Sequence, residues 1–189
     1  MIHETIVTTR SPQGRVHVAP MGVRRMDGRA WIAPFKPSVT LDNLRATGVA
    51  VVNATDDVTV FAGCLTGRID WPLSAASVID GVRLAGALSH LEVAVEGIED
   101  DPQRPRFACR ILHEAVHAPF AGFNRAQAAV IEAAILVSRL HMLPREKVDR
   151  EIGYLAIAID KTAGDRERLA WQWLLDAIAA HDRDAGSAA

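Results

Sequence analysis

The feature that most constrains this chain is a change of period near residue 120. Before it, apolar and polar residues alternate in short runs separated by turn formers. After it, apolar residues recur every three or four positions. Period two is the signature of a half-buried strand and period 3.6 that of a helix. Strands are predicted at residues 4–9, 16–21, 30–33, 49–53, 59–64, 91–98 and 107–116, with turns at Ser11-Pro12-Gln13-Gly14, at Gly22 and at Met26-Asp27-Gly28. Residues 74–80 read as a short helix. The linker Glu99-Asp100-Asp101-Pro102-Gln103-Arg104-Pro105 is rich in turn formers and charge.

At Pro119-Phe120-Ala121-Gly122-Phe123 the alternation stops, and Asn124 is placed to cap a helix over residues 125–141. Pro144 opens a second helix, a third spans residues 166–180, and the tail 184–189 is expected to fray. Antiparallel strands followed by a block of helices predict an α+β chain, most simply a small barrel over residues 1–120 with a helical subdomain over 121–189.

Lysine and arginine total 21 against 23 acids, a net charge of -2, so there is no electrostatic footprint for nucleic acid or an anionic membrane surface. No apolar run approaches the ~20 residues needed to span a bilayer. The first residues lack a basic and apolar leader, so the chain is expected in the cytoplasm. The only cysteines, Cys64 and Cys109, each lie in an apolar run and are expected as buried thiols without a disulfide.

Within the β half, one stretch carries chemistry. Residues 34–48 place a proline, Lys36, Ser38 and Thr40 just ahead of a short helix predicted at residues 40–47 and stopped by Gly48. A helix N-terminus offers amides without intrahelical partners at the positive end of a dipole. A cation and hydroxyls beside it suit a phosphate. The same residues also fit an ordinary cap, with Thr40 as N-cap and Lys36 in solvent.

The order of motifs then becomes informative. Paired threonines, Thr8-Thr9, end the first strand, and His17-Val18-Ala19-Pro20-Met21-Gly22 forms the second. Ser38-x-Thr40-Leu41-x-Asn43-Leu44, Gly48 and Val49-Ala50-Val51-Val52-Asn53 follow. This order resembles the FMN-binding split β-barrel flavoproteins, among them the flavin reductase-like and flavoredoxin-like groups. With Thr55-Asp56-Asp57-Val58 and Phe120-x-Gly122-Phe123-Asn124-Arg125-Ala126 included, nearly the whole chain is similar to one family of that superfamily. Its members carry a C-terminal helical extension, have no assigned activity, and occur in archaea and methylotrophic bacteria.

The resemblance implies FMN as cofactor. Its phosphate would lie at Lys36, Ser38 and Thr40, with Asn43 supporting the loop. Its ring would lie along the second strand, against backbone groups of His17, Val18, Ala19 and Met21 and the hydroxyl of Thr8 or Thr9. His17 stands where relatives often have asparagine. The resemblance also implies a homodimer with flavin at the interface, to which Arg125 or Trp71 of a partner subunit would contribute. It implies hydride or electron transfer with a small-molecule donor or acceptor, in a setting of pterin-dependent one-carbon metabolism. A flavin-binding or sensing module without turnover is the alternative.

A second motif competes. His113-Glu114-Ala115-Val116-His117 matches H-E-x-x-H, which binds zinc when both histidines share one helix face. Here the preceding residues read as strand and Pro119 follows closely. In a strand, positions four apart lie ~13 Å from one another, too far to share one zinc. A zinc hydrolase using His113-Glu114-x-x-His117 is therefore the least favoured alternative, and no metal is expected. No P-loop or G-x-G-x-x-G fingerprint is present, so a flavin would not be held by a Rossmann fold.

Overall fold

A computed structural model describes the backbone of residues 1–187 and the side chains of residues 1–184; the end of the expected frayed tail, residues 188–189, lies outside the described residues. The described chain divides into two units, Met1–Asp56 with Asp70–Phe120, and Asp57–Ile69 with Ala121–Ala189.

The first unit is an antiparallel barrel closed in the order β1-β2-β3-β8-β7-β4. Its strands are β1 Ile2–Arg10, β2 Val16–Met26, β3 Arg29–Ile32, β4 Val49–Ala54, β7 Ser89–Glu99 and β8 Arg106–Val116. β2 runs through Gly22, where the sequence suggested an end, to the two-residue turn Asp27-Gly28. Both turn residues have positive φ, 53° and 70°, which matches the twist of tight hairpins. Alternate residues of each strand point inward, so that Val7, Val23, Ala30, Ile32, Ala50, Val52, Val93, Phe107 and Cys109 form the core. Helix α1 (Val39–Thr47) adds Leu41 and Leu44 to that core and packs on β1 and β2. It is capped by Ser38, whose hydroxyl accepts from the Leu41 amide. Gly48, at φ 70°, closes it, its N–H donating a hydrogen bond to the Leu44 carbonyl.

The residues between β4 and β7 depart from the sequence reading twice. Residues 59–64, predicted as a strand, form helix α2 (Val58–Leu65). A continuous apolar run has no period to separate strand from helix. The decision falls to the Asp57 carboxylate, which accepts from the Thr59 amide at 3.0 Å and hydroxyl at 2.6 Å and so caps a helix. Residues 74–80, predicted as a helix, instead belong to a small hairpin of β5 (Leu73–Ala75) and β6 (Val82–Leu84).

That hairpin lies across the outer face of the barrel and is clamped there by buried polar side chains. Thr8 donates to the Val82 carbonyl. The Asn53 side-chain oxygen accepts from the Leu84 amide at 2.9 Å. Glu92 accepts from the amides of Ser77, Val78 and Ile79 at 2.5, 2.8 and 3.1 Å. These amides cannot also feed a helical ladder, which is why residues 74–80 are not helical.

The second unit gathers α2, α3 (Arg125–Val137), α4 (Arg145–Thr162) and α5 (Asp165–Ser187). Its core contains Val58 and Ala62 of α2, Ala126, Ala129, Val130 and Ala133 of α3, Ile159 of α4, and Ala170, Trp171 and Leu174 of α5. Asn124 caps α3 as predicted, accepting from the amides of Ala126 and Gln127. The predicted helix 125–141 breaks after Val137 into a short 3₁₀ turn at Leu140–Met142. No helix among the described residues is long and apolar enough to cross a membrane.

Candidate cofactor site

The stretch from Pro34 to Thr40 leaves β3 through a cis peptide between Lys36 and Pro37. The Lys36 amide donates to the Gln103 carbonyl at 2.8 Å, which ties the loop to the linker before β8. The Lys36 ammonium does not stand alone in solvent. It reaches the Asp100 carboxylate at 3.2 Å and the Asp101 carbonyl at 2.7 Å, leaving one of its three donors. Arg45 also approaches Asp100, at 3.5 Å. The hydrogen bond and charge of Lys36 hold the Asp100 carboxyl below its ordinary range.

Ser38, not Thr40, is the N-cap. The amides of Val39 and Thr40 therefore open the helix without intrahelical acceptors. Thr40 is buried on the first turn. Asn43, one turn later, faces β1: its side-chain amide donates to the Thr9 hydroxyl at 3.0 Å. Thr9 is the register partner of His17 on β2, so Thr9, His17 and Asn43 gather at the end of the barrel that α1 covers. Burial pushes the His17 pKa down, favouring a neutral imidazole. Thr8 does not join this group; its side chain points to the opposite face and holds the β5–β6 hairpin. Arg125 belongs to the helical unit, exposed at the first position of α3. Trp71 is half-buried ahead of β5, and its indole N–H is buried without a partner among the described residues.

β2 pairs with β1 along nearly its whole length but with β3 only over Arg24–Met26. Over residues 19–22 its second edge has no strand partner among the described residues. Backbone groups of consecutive strand residues point alternately to the two edges. Met26 pairs with Arg29 across the two-residue turn, so Gly22, in phase with Met26, faces that second edge. Ala19 and Met21 instead face β1, where the Met21 carbonyl accepts from the Thr5 hydroxyl at 2.8 Å. The Met21 side chain itself packs against the core.

Where β2 and β3 part, their outward residues line a cavity of about 370 Å³: Gly22, Arg24 and Met26 from β2, with Trp31 and Ala33 from the β3 side. Arg104 and Arg106 close another wall. Arg104 joins the cavity to the Lys36 loop, since its Nε donates to the Ala33 carbonyl at 2.7 Å and its guanidinium lies 4.7 Å over the Phe35 ring. Sequence reasoning missed Arg24, Trp31, Arg104 and Arg106. The signal present was the alternation along β2 and β3, which puts Arg24 and Trp31 on one face; Arg104 sits in what read as a plain charged turn.

Of the H-E-x-x-H residues, His113 to Val116 lie on a strand, β8, as predicted, and His117 follows directly after its end. The register sets His113 opposite Glu92 and Glu114 opposite Leu91. Glu114 is turned away, in a bidentate pair with Arg25 at 2.8 Å on each oxygen, and that hydrogen bond lowers its pKa. His90 stands between the two motif histidines. Its Nδ1 is 2.9 Å from His117 Nε2 and its Nε2 is 3.1 Å from Glu92 Oε1. The His117 ring stacks on it at 5.0 Å and the His113 ring lies tilted at 5.7 Å. Burial opposes ionisation of Glu92, but three backbone amides and His90 prevail and hold its pKa down to about 2. Burial, followed by the charges of Arg83, His90 and His113, pushes the His117 pKa down. No disulfide joins Cys64, half-buried, and Cys109, buried, whose thiol burial and Glu96 push up to about 12.

Two family models match the chain. The N-terminal domain described as a protein of unknown function (DUF447) matches residues 3–118, and the second model of the same name matches residues 124–176. No curated protein sequence matches. Among solved structures, the FMN-bound protein MM1853 from Methanosarcina mazei is similar over 93% of this chain and 94% of its own, at a TM-score of 0.83 and 20% identity. The flavoredoxin from Methanosarcina acetivorans is similar at a TM-score of 0.54 and 14% identity, over 61% of this chain and 69% of its own. The Pseudomonas fluorescens 2-nitrobenzoate 2-nitroreductase NbaA is similar at 0.52 and 22% identity, over 60% and 64%.

Proposed function

The chain belongs to the DUF447 family, and from that premise we propose an FMN-binding flavoprotein that transfers hydride or electrons as a cytoplasmic homodimer. The observation that carries the reading is the joining of an anion site to a cavity. Lys36, Ser38 and the first amides of α1 lie on a loop that Arg104 ties to the cavity wall. The cavity volume falls within the roughly 300–1,000 Å³ of small-molecule sites. The donor set fits a phosphate-bearing aromatic cofactor: Trp31, Met26 and Ile2 supply apolar surface, while Arg24 and Arg104 favour an anion, Arg106 being paired at 2.7 Å with Glu99, which also lines the cavity.

In this reading Lys36, Ser38 and Thr40 hold the phosphate, and β2 over His17, Val18, Ala19 and Met21 meets the polar rim of the ring. Asn43 and Thr9 are positioning residues: their bond fixes α1 on β1 and so fixes where its N-terminus points. Thr8 is committed to the hairpin and is left out. FMN, when bound, supplies the redox chemistry; the chain supplies binding, orientation and a positive cavity. Exposed Phe35 and Val39 beside the loop support burial of this face against a second copy, with Arg125 and Trp71 as candidate partner contacts. The FMN-bound family relative and the reductase among the fold neighbours support the class of chemistry.

The test compares FMN with riboflavin, which lacks the phosphate. Lys36→Ala with Ser38→Ala should weaken FMN by about 10–100-fold, the worth of one or two charge-assisted hydrogen bonds, and leave riboflavin unchanged. Equal loss for both flavins would remove the phosphate assignment. Anaerobic mixing of the loaded protein with reduced nicotinamides and a reduced pterin then decides turnover: bleaching of the flavin bands identifies a donor, and persistence of colour with every donor leaves the binding-module alternative. Size-exclusion chromatography with and without FMN reads the dimer.

A further inference from the structure

The cluster of His90, Glu92, His113 and His117 takes no part in the proposed flavin site, and no comparison assigns it a role. It follows from strand geometry alone. Residues two apart on a strand share a face, so His90 and Glu92 project together from β7, and the antiparallel register sets His113 beside Glu92. One ligating atom each from His90, Glu92 and His113 lies within 4.8 Å of the other two. His90 is 2% exposed and Glu92 fully buried, whereas His113 is half-buried.

From this geometry we infer a divalent metal site of the zinc class, with a nitrogen of His90, an oxygen of Glu92 and a nitrogen of His113 as ligands and His117 as the residue that orients His90. Two metal bonds of about 2.0–2.2 Å at a tetrahedral angle separate their donor atoms by about 3.3–3.5 Å. The His90 Nε2 to Glu92 Oε1 separation of 3.1 Å is within a few tenths of that edge. The third ligand closes the site by rotation of the half-buried His113 side chain.

The surroundings match what such a site requires. A metal-bound imidazole donates its other N–H to a neighbour, which fixes its tautomer. His117 Nε2, 2.9 Å from His90 Nδ1, is placed to accept that hydrogen. The amides of Val78 and Ile79 hold Glu92 Oε2 on the far side, while that of Ser77 shares Oε1 with His90, so the carboxylate is oriented before any cation arrives. Two imidazoles and a carboxylate form the N₂O set that suits zinc and, under the Irving–Williams order, also nickel and copper. Arg83, whose guanidinium donates to the carbonyls of Leu84 and Ala85, is the nearby charge against which the cation binds. The His113–His117 spacing still prevents both from ligating one ion; the other two ligands, His90 and Glu92, come from β7, which the linear motif does not reveal.

The same heavy-atom positions also suit protons alone, with His90 Nε2–H donating to Glu92 and His117 Nε2–H donating to His90. The experiment separates the two arrangements. Chelator-treated wild type, His113→Ala, His117→Ala, His117→Gln and the exposed His141→Ala are titrated with Zn²⁺ alone and with Co²⁺ as a visible reporter. Metal stoichiometry is measured after gel filtration, and circular dichroism confirms folding. Wild type and His141→Ala should bind one Zn²⁺ per chain and give the intense d–d bands of four-coordinate Co²⁺. His113→Ala should lose at least about tenfold in affinity and lose those bands. His117→Ala should lose about 10–100-fold, as outer-shell partners do, and His117→Gln should regain part of it. Retention of no zinc by wild type, or equal retention by wild type and His113→Ala, overturns the site in favour of the proton arrangement. Should His113→Ala fail to fold, a Zn²⁺-dependent rise in wild-type melting temperature, absent in the His117→Ala protein, carries the same decision.

Discussion

Replacing Glu92 by glutamine puts the clamp on the β5–β6 hairpin to a quantitative test. The side chain is fully buried, so water does not screen its contacts. Its pKa is about 2 in the folded chain against the ordinary 4.5. A pKa difference of about 2.5, at about 1.4 kcal/mol for each pKa unit, corresponds to about 3 kcal/mol. Because the folded value is the lower one, this stabilisation is whole above about pH 4.5 and is lost as pH falls towards about 2. Glutamine keeps the shape but turns an N–H₂ towards backbone amides that need an acceptor. Urea unfolding followed by circular dichroism, in chelator so that no cation contributes, should show Glu92→Gln less stable by about 3 kcal/mol at pH 7 and by about half that at pH 3. A difference below about 1 kcal/mol at pH 7, or one that does not shrink on acidification, would refute the claim that an ionised Glu92 holds residues 77–79 in place.

Other substitutions probe other joints. Asn43→Ala removes the bond to Thr9 and should cost about 1–2 kcal/mol while weakening FMN more than riboflavin, read by flavin titration. Leu174→Ala, at a fully buried position of the helical core, should cost about 2–5 kcal/mol in denaturant unfolding. Asp57→Ala removes the cap of α2 and should cost about 1 kcal/mol. Cys109, buried with its thiol raised to about 12, should resist a thiol reagent in the native protein and react only as the chain unfolds; fast labelling would contradict its burial.

Much of the barrel was legible because its strands are half-buried, and half-burial writes a period of two. Residues 4–9 and 107–116 carry that alternation, and both are strands. Residues 59–64 carry none, being apolar after Thr59, and there a single carboxylate at Asp57 decided for helix. The anion loop was legible as a helix start, yet its cap lies at Ser38 because Pro37 leads the chain into the helix two residues earlier than Thr40. Lys36 was visible as a cation, whereas its partner Asp100 was not, since nothing local says that the linker before β8 returns to this loop. The cavity and the His90–Glu92–His113 cluster are products of register between strands distant in sequence. Only pairing brings their residues together, and a linear motif such as H-E-x-x-H reports half of such a set.

Helix α2 lies in sequence between two barrel strands, β4 and β7, yet its apolar face packs with α3 and α5. During synthesis Val58 and Ala62 therefore leave the ribosome long before Ala126, and longer still before Leu174. Through that interval an apolar helix waits without its partners, the situation in which nascent chains attract chaperones or one another. A cut after residue 120 would make the waiting permanent. The fragment would carry every strand of the barrel and still expose the surface meant for α3 and α5, so the helical region is a partner the first half is committed to from residue 57 onward.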